Sequence, residues 1–230
     1  MEPDSQLPDL HQLAFFEYGK TSQGRLELYP AVWSAAEALA SPDLSTRKAG
    51  LAQLCELGAA RFSPLLAYLI ATRLIEPDIE LRLTIIQELV KIFQPDSDGL
   101  LAPEKVRSTL EGYMCQMRTR QVFALLEVVD RDPEIAVSVV RLFNECAYAG
   151  NHLIEIVLNR NIPVKFRRLG IYFLGVIGYV TALPALERLA GRLETRMNGQ
   201  QAMPFIVNEA NDEINLLPDL RQAIDRLSAP

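Results

Sequence analysis

The chain has 230 residues, 49% apolar and 23% charged, with a formal net charge of −6 and a pI near 5.1. This is the composition of a folded globular chain long enough to bury a substantial core, and it excludes wholesale disorder. Only five lysines in an acidic chain also argue against nucleic-acid binding, whose affinity comes from many cation–phosphate contacts.

The first segment, MEPDSQLPDL, is acidic and contains prolines, whereas a signal peptide needs a basic start and a continuous apolar stretch. No run approaches 18 uncharged apolar residues, so no membrane span is expected and the chain reads as cytoplasmic. Cys55, Cys115 and Cys146 are odd in number and widely spaced within helical windows. They read as buried reduced thiols rather than a disulfide framework. Residues 1–42 are expected to hold N-terminal capping helices and a mobile loop: a helix over 9–18, a polar loop over 20–30 and a helix over 30–40. Trp33, the single tryptophan, is expected to pack against the helices that follow, as a large apolar ring usually does.

From residue 41 a helical hairpin follows. SPDLSTRKAGLAQLCELG is capped by Ser41 or Asp43, and RFSPLLAYLIATRL is its partner. The same pattern returns at residues 163–193, where Pro163 opens one apolar-periodic run, Gly178 closes it and a second run follows. Shifting by 120 residues brings Arg47 onto Arg167, Gly50 onto Gly170, Leu54 onto Leu174, Gly58 onto Gly178 and Pro64 onto Pro184. This is an internal repeat. Gly58 and Gly178 stand where a helix ends, a position that favours a residue able to take positive φ.

Between these hairpins, helical periodicity fills residues 77–93, 103–117, 120–129, 133–150 and 151–160. The stretch 94–103 is the clearest break. Strict pairing leaves one helix over between residues 77 and 130, so either that unit has three helices or the break at 117–120 is false. Residues 194–230 are expected to form an acidic connection, with an apolar island at Met203–Val207, and a C-terminal capping helix over 218–227. Charge is uneven: Arg160, Lys165, Arg167, Arg168, Arg188 and Arg192 face only Glu187 between residues 160 and 192.

The prolines Pro42, Pro77, Pro133 and Pro163, the arginines Arg47, Arg82 and Arg167, and the aspartates Asp43 and Asp78 together resemble HEAT and armadillo-type α-helical repeats. The resemblance covers about residues 41–193. It implies an all-α, right-handed α-α superhelix of about eleven to twelve helices, with the repeats over 43–193. In that family the aspartate and arginine tie neighbouring repeats together, so Asp43, Arg47, Gly58, Asp78, Arg82, Arg167 and Gly178 receive a structural reading. The second helix of each repeat lines the concave side. Here that face would offer Tyr68 and Arg73, Gln121 and Glu127, His152 and Glu155, and Arg188 and Arg192 as partner-binding residues.

Signals for chemistry are absent from the sequence. His11 and His152 have no ligand-spaced partners, so no metal is expected. The glycines form neither a dinucleotide nor a P-loop fingerprint, and no cofactor is expected. Glu76, Asp78 and Glu80 sit at a helix N-terminus, where the macrodipole favours acids without any catalytic role. The function expected is a non-catalytic scaffold or adaptor that binds another protein on its concave face, an acidic surface being one option for that partner. The alternatives are a pigment- or cofactor-attachment lyase-type subunit, which the same repeats also serve, and a nucleic-acid-binding repeat protein.

Overall fold

The computed structural model describes residues 30–200 and 213–229, which hold twelve α-helices, four short 3-10 turns and no strand. The expected helix at 9–18, the loop at 20–30, His11 and the island at 203–207 lie outside the described residues. Two compact units are distinguished. One comprises residues 1–73 and 91–110, the other residues 74–90 and 111–230.

In the first unit, α1 (Pro30–Leu39) buries Val32, Ala35, Ala36 and Leu39. Against it packs α2 (Leu44–Glu56). The approach is close at Gly50, where an added Cβ would lie 2.6 Å from the Ala35 carbonyl oxygen and 2.8 Å from the Ala38 Cβ. Trp33 is 44% exposed, contrary to the packing expected of it. The buried face of α1 is Val32, Ala35, Ala36 and Leu39, and Trp33 stands outside it. Asp43 caps α2, its carboxylate accepting from the Thr46 amide at 2.8 Å. The hydroxyls of Ser45 and Thr46, with that amide, hold the Asp43 carboxyl down to about 2.

The short helix α3 (Ala59–Phe62) follows Gly58, and α4 (Pro64–Ala71) follows the buried cap Ser63. Leu66, Ala67, Ile70 and Ala71 of α4 are buried, while Leu65 and Tyr68 are exposed. The 94–103 break is anchored: Arg61 donates to the carbonyls of Lys91, Gln94 and Leu100 and pairs with Asp96.

Three helices span residues 79–131: α5 (Ile79–Ile92), α6 (Glu104–Cys115) and α7 (Thr119–Arg131). The break between α6 and α7 is therefore real.

The second unit is organised on α10 (Val164–Val176), which packs against α7, α9 (Ala149–Leu158) and α12 (Leu217–Ser228). Phe173 meets Phe143 of α8 (Ala136–Asn144) edge to face with ring centroids 5.2 Å apart. Phe166 meets Phe123 at 4.9 Å. A fully buried side chain of this size contributes about 1.5–3 kcal/mol, so this helix anchors the unit. Two glycines let its neighbours close in: Gly170 against Val157 and Gly175 against Ala223. The helix α11 (Leu183–Gln200) runs past Leu193, where the apolar stripe ends, so the connection expected from residue 194 begins later.

Several positions related by the 120-residue shift share their local roles. Gly50 and Gly170 both sit at a close helix contact, and Gly58 and Gly178 both have positive φ, 59° and 69°. Leu54 and Leu174 are both fully buried. The arginines diverge. Arg47 bonds to the carbonyls of Ser41 and Pro42 beside it, whereas Arg167 is 1% exposed and reaches the Val157 carbonyl at 2.7 Å. Cys55 is half-buried, Cys115 exposed and Cys146 buried, and none is in a disulfide; only the last matches the buried reading.

Candidate functional site

The residues expected to bind a partner have unequal freedom. Gln121 is half-buried and closes the start of α7, its side-chain oxygen accepting from the Arg118 amide at 3.1 Å. Glu127 lies 2.7 Å from the buried Arg82, which also donates to the Ala124 carbonyl at 2.9 Å. Removing Glu127 would leave a buried cation short of its counter-charge, which gives that carboxylate a structural role. Asp78 caps α5 by accepting from the Leu81 amide at 2.9 Å.

His152 and Glu155 meet at Thr119. The threonine hydroxyl lies 3.0 Å from His152 Nδ1 and donates to the Glu155 carboxylate. That bond holds the Glu155 carboxyl below its ordinary range, with a further contribution from His152. Its types suggest a nucleophile–base set, but the hydroxyl proton is already directed at the carboxylate rather than at the imidazole. A general base must stand within reach of the proton it takes. In the first unit, Tyr68 is exposed, while Arg73 is half-buried with its Nε shut from solvent.

Arg188 and Arg192 differ from these. They lie one turn apart on the exposed side of α11, and with Leu158, Ala185 and Leu189 they line an open groove of about 350 Å³. Leu158 is 44% exposed at the end of α9, giving the groove an apolar wall. Arg188 Nε donates to the Pro184 carbonyl at 3.0 Å, and among the described residues Arg188 has no ion pair. Arg192 leans toward Glu213, with Nη2 3.5 Å from Oε1.

Glu213 is the residue that sequence reasoning missed. Arg167 Nη1 lies 2.7 Å from its Oε1, and Arg160, Arg192 and Arg196 approach at 3.8, 3.5 and 3.9 Å. Burial alone would raise its pKa. The Arg167 hydrogen bond and the charges of Arg167, Arg192 and Arg160 outweigh burial and hold the carboxyl below its ordinary range. Arg167 and Glu213 are 46 positions apart, and no local spacing could have paired them. Leu158 and Arg160 were visible only as a helix residue and as one member of a basic count.

No group of three His, Cys, Asp or Glu side chains among the described residues is placed to hold a metal ion. None of the described helices is long and apolar enough to cross a membrane. Comparison with protein-family models, with curated proteins and with solved structures finds no match.

Proposed function

We propose that this chain is a HEAT/armadillo-type helical-repeat module, a right-handed superhelix that acts as a non-catalytic adaptor for an acidic protein partner. The repeat reading draws its support from shared packing and turn glycines 120 residues apart. One observation carries the binding reading: Arg188 and Arg192 flank the apolar side chains Leu158, Ala185 and Leu189 in one open groove. Apolar area supplies affinity, and flanking charge selects partners of opposite sign and speeds encounter.

The nucleic-acid reading draws on the same basic hairpin, but much of that charge is internally matched. Lys165 pairs with Asp130 at 2.5 Å, Arg168 with Asp219 at 2.9 Å and Arg167 with Glu213 at 2.7 Å. That leaves few cations for a phosphate backbone and favours a compact protein contact.

The test is partner capture from native lysate by wild type and by the double variant Arg188→Glu, Arg192→Gln. Glutamine is chosen at 192 because an acid there would face Glu213. The folded variant is expected to lose a salt-sensitive partner. Recovery of every wild-type partner would rule this groove out as the binding surface and shift attention to the exposed Leu65 and Tyr68.

A further inference from the structure

Two of the three cysteines meet in the second unit. Cys115 is the last residue of α6, and Cys146 lies in the turn between α8 and α9. The Cys115 thiol reaches the Glu145 carbonyl, with Sγ 3.8 Å from the oxygen. That carbonyl belongs to the peptide unit joining Glu145 to Cys146. One side chain therefore touches the other cysteine's own backbone, although the chain separates them by 31 positions. This contact brings the pair near the Cα spacing of about 4.4–6.8 Å that a disulfide takes. Cys115 is exposed at a helix end, so its side chain has room to turn toward the second sulfur.

The two thiols stand in different surroundings. Cys115 is open to solvent, whereas Cys146 is 4% exposed. Burial is the main cause that raises the Cys146 pKa, and the nearness of Cys115 adds to it. Hydrogen bonds from the backbone of Tyr148 and Ala149, at the start of α9, act the other way and favour its thiolate. An oxidant in solution meets Cys115 first, and Cys146 waits behind it with donors in place for the charge it must carry when it attacks.

We infer that Cys115 and Cys146 form a reversible disulfide when the protein meets a peroxide. Cys115 sulfur attacks one peroxide oxygen, the O–O bond breaks, and the hydroxide released takes the thiol proton as water. Cys115 is then a sulfenic acid. The Cys146 thiolate attacks that sulfur, the S–S bond forms, and the S–O bond breaks. The second hydroxide leaves as water with the Cys146 proton. The two thiols lose two electrons together and the peroxide gains them, and a dithiol reverses the bond by exchange. The inference stands apart from the partner reading, because it needs only this chain and the oxidant.

The test is peptide mapping of the full chain after hydrogen peroxide, with free thiols alkylated before a non-reducing tryptic digest. Wild type should yield residues 108–118, which carry Cys115, joined to residues 142–160, which carry Cys146. The yield should not depend on protein concentration, and dithiothreitol should abolish the joined species. Dimedone traps sulfenic acid, so it should label Cys115 far more in Cys146→Ser and Cys146→Ala than in wild type. In Cys115→Ser it should leave Cys146 unlabelled. Circular dichroism checks the fold of each variant, and if the Cys146 variants unfold, the wild-type map decides alone. The inference is overturned if wild type gives no joined 108–118 and 142–160 peptides, whether its thiols stay reduced or Cys115 passes to sulfinic acid. It is overturned equally if Cys115 couples chiefly to Cys55 or to Cys115 of a second copy, or if dimedone labels Cys115 alike in wild type and folded variants.

Discussion

Gly50 and Gly170, 120 positions apart, each lie where one helix presses against another with no room for a Cβ. At Gly50 the added atom would meet the Ala35 carbonyl oxygen at 2.6 Å, and at Gly170 the Val157 Cγ2 at 2.8 Å. The first obstacle is backbone and cannot yield, while the second is a methyl with some freedom to turn. Gly50→Ala should therefore destabilise by about 1–3 kcal/mol and Gly170→Ala by less. Gly191 is the control: it lies within α11 with nothing inside 4 Å of the added atom. Gly191→Ala should stabilise by about 0.5–1 kcal/mol. Chemical denaturation of the three variants gives the order directly, and equal effects would refute it.

Gly58 and Gly178 test the backbone rather than the packing. At Gly178 (φ 69°) nothing lies within 4 Å of an added Cβ, and at Gly58 (φ 59°) the nearest atom is a Phe62 ring carbon at 3.7 Å. The end of α10 closes through the Tyr179 amide and the Leu174 carbonyl at 3.2 Å. This closure needs the left-handed residue between them. A β-branched residue forced to positive φ should cost more than about 1 kcal/mol at either site. Unchanged melting temperatures for Gly58→Val and Gly178→Val would show that these turns relax without cost.

Thiol labelling should separate the cysteines by environment. Cys115 is exposed, whereas Cys146 is buried and its pKa is raised, chiefly by that burial. Since the thiolate is the nucleophile, Cys115 should react with a maleimide well before Cys146 in the native protein. The order should vanish in denaturant. Equal native rates would contradict the buried placement of Cys146.

Acid should loosen the second unit through Glu213. Its carboxyl sits below the ordinary range in the folded chain. It therefore binds protons more readily unfolded, and its stabilising contribution is present above the unfolded carboxyl pKa. That contribution is lost as pH falls through the depressed folded value. Melting temperatures followed downward from pH 6 should decline less steeply in Glu213→Gln than in wild type below the ordinary carboxylate range. Parallel curves would mean that the Arg167–Glu213 contact carries no linkage.

What could be read from the sequence was local. Asp43 as a cap, Gly58 and Gly178 as turn residues and the apolar stripe Leu186, Leu189 and Leu193 each follow from a few neighbouring positions, and all three residues of the stripe are buried. The extension of α11 to Gln200 was not legible, because ETRMNGQ has no stripe. Its turns are sustained by polar contacts such as Arg221 with Glu194 at 2.7 Å and the Thr195 hydroxyl with the Gly191 carbonyl. Trp33 is 44% exposed although its size favours burial, because the buried positions of α1 are Val32, Ala35, Ala36 and Leu39. At the candidate site, the i, i+4 spacing of Arg188 and Arg192 placed both on one exposed face. Their apolar neighbour Leu158 and their acidic neighbour Glu213 come from other elements, so only the folded chain brings them together.

The central claim is that a partner protein rests on the groove of α11, and site-specific photo-crosslinking tests it most directly. A photoreactive residue at Ala185, which lines the groove, should capture a discrete partner in native lysate. The same probe at Tyr68, exposed on α4, should not. The adduct should fade as salt rises and be lost in the Arg188→Glu, Arg192→Gln background. An adduct at Tyr68 but none at Ala185, or one at Ala185 indifferent to salt and to both arginines, would contradict the account.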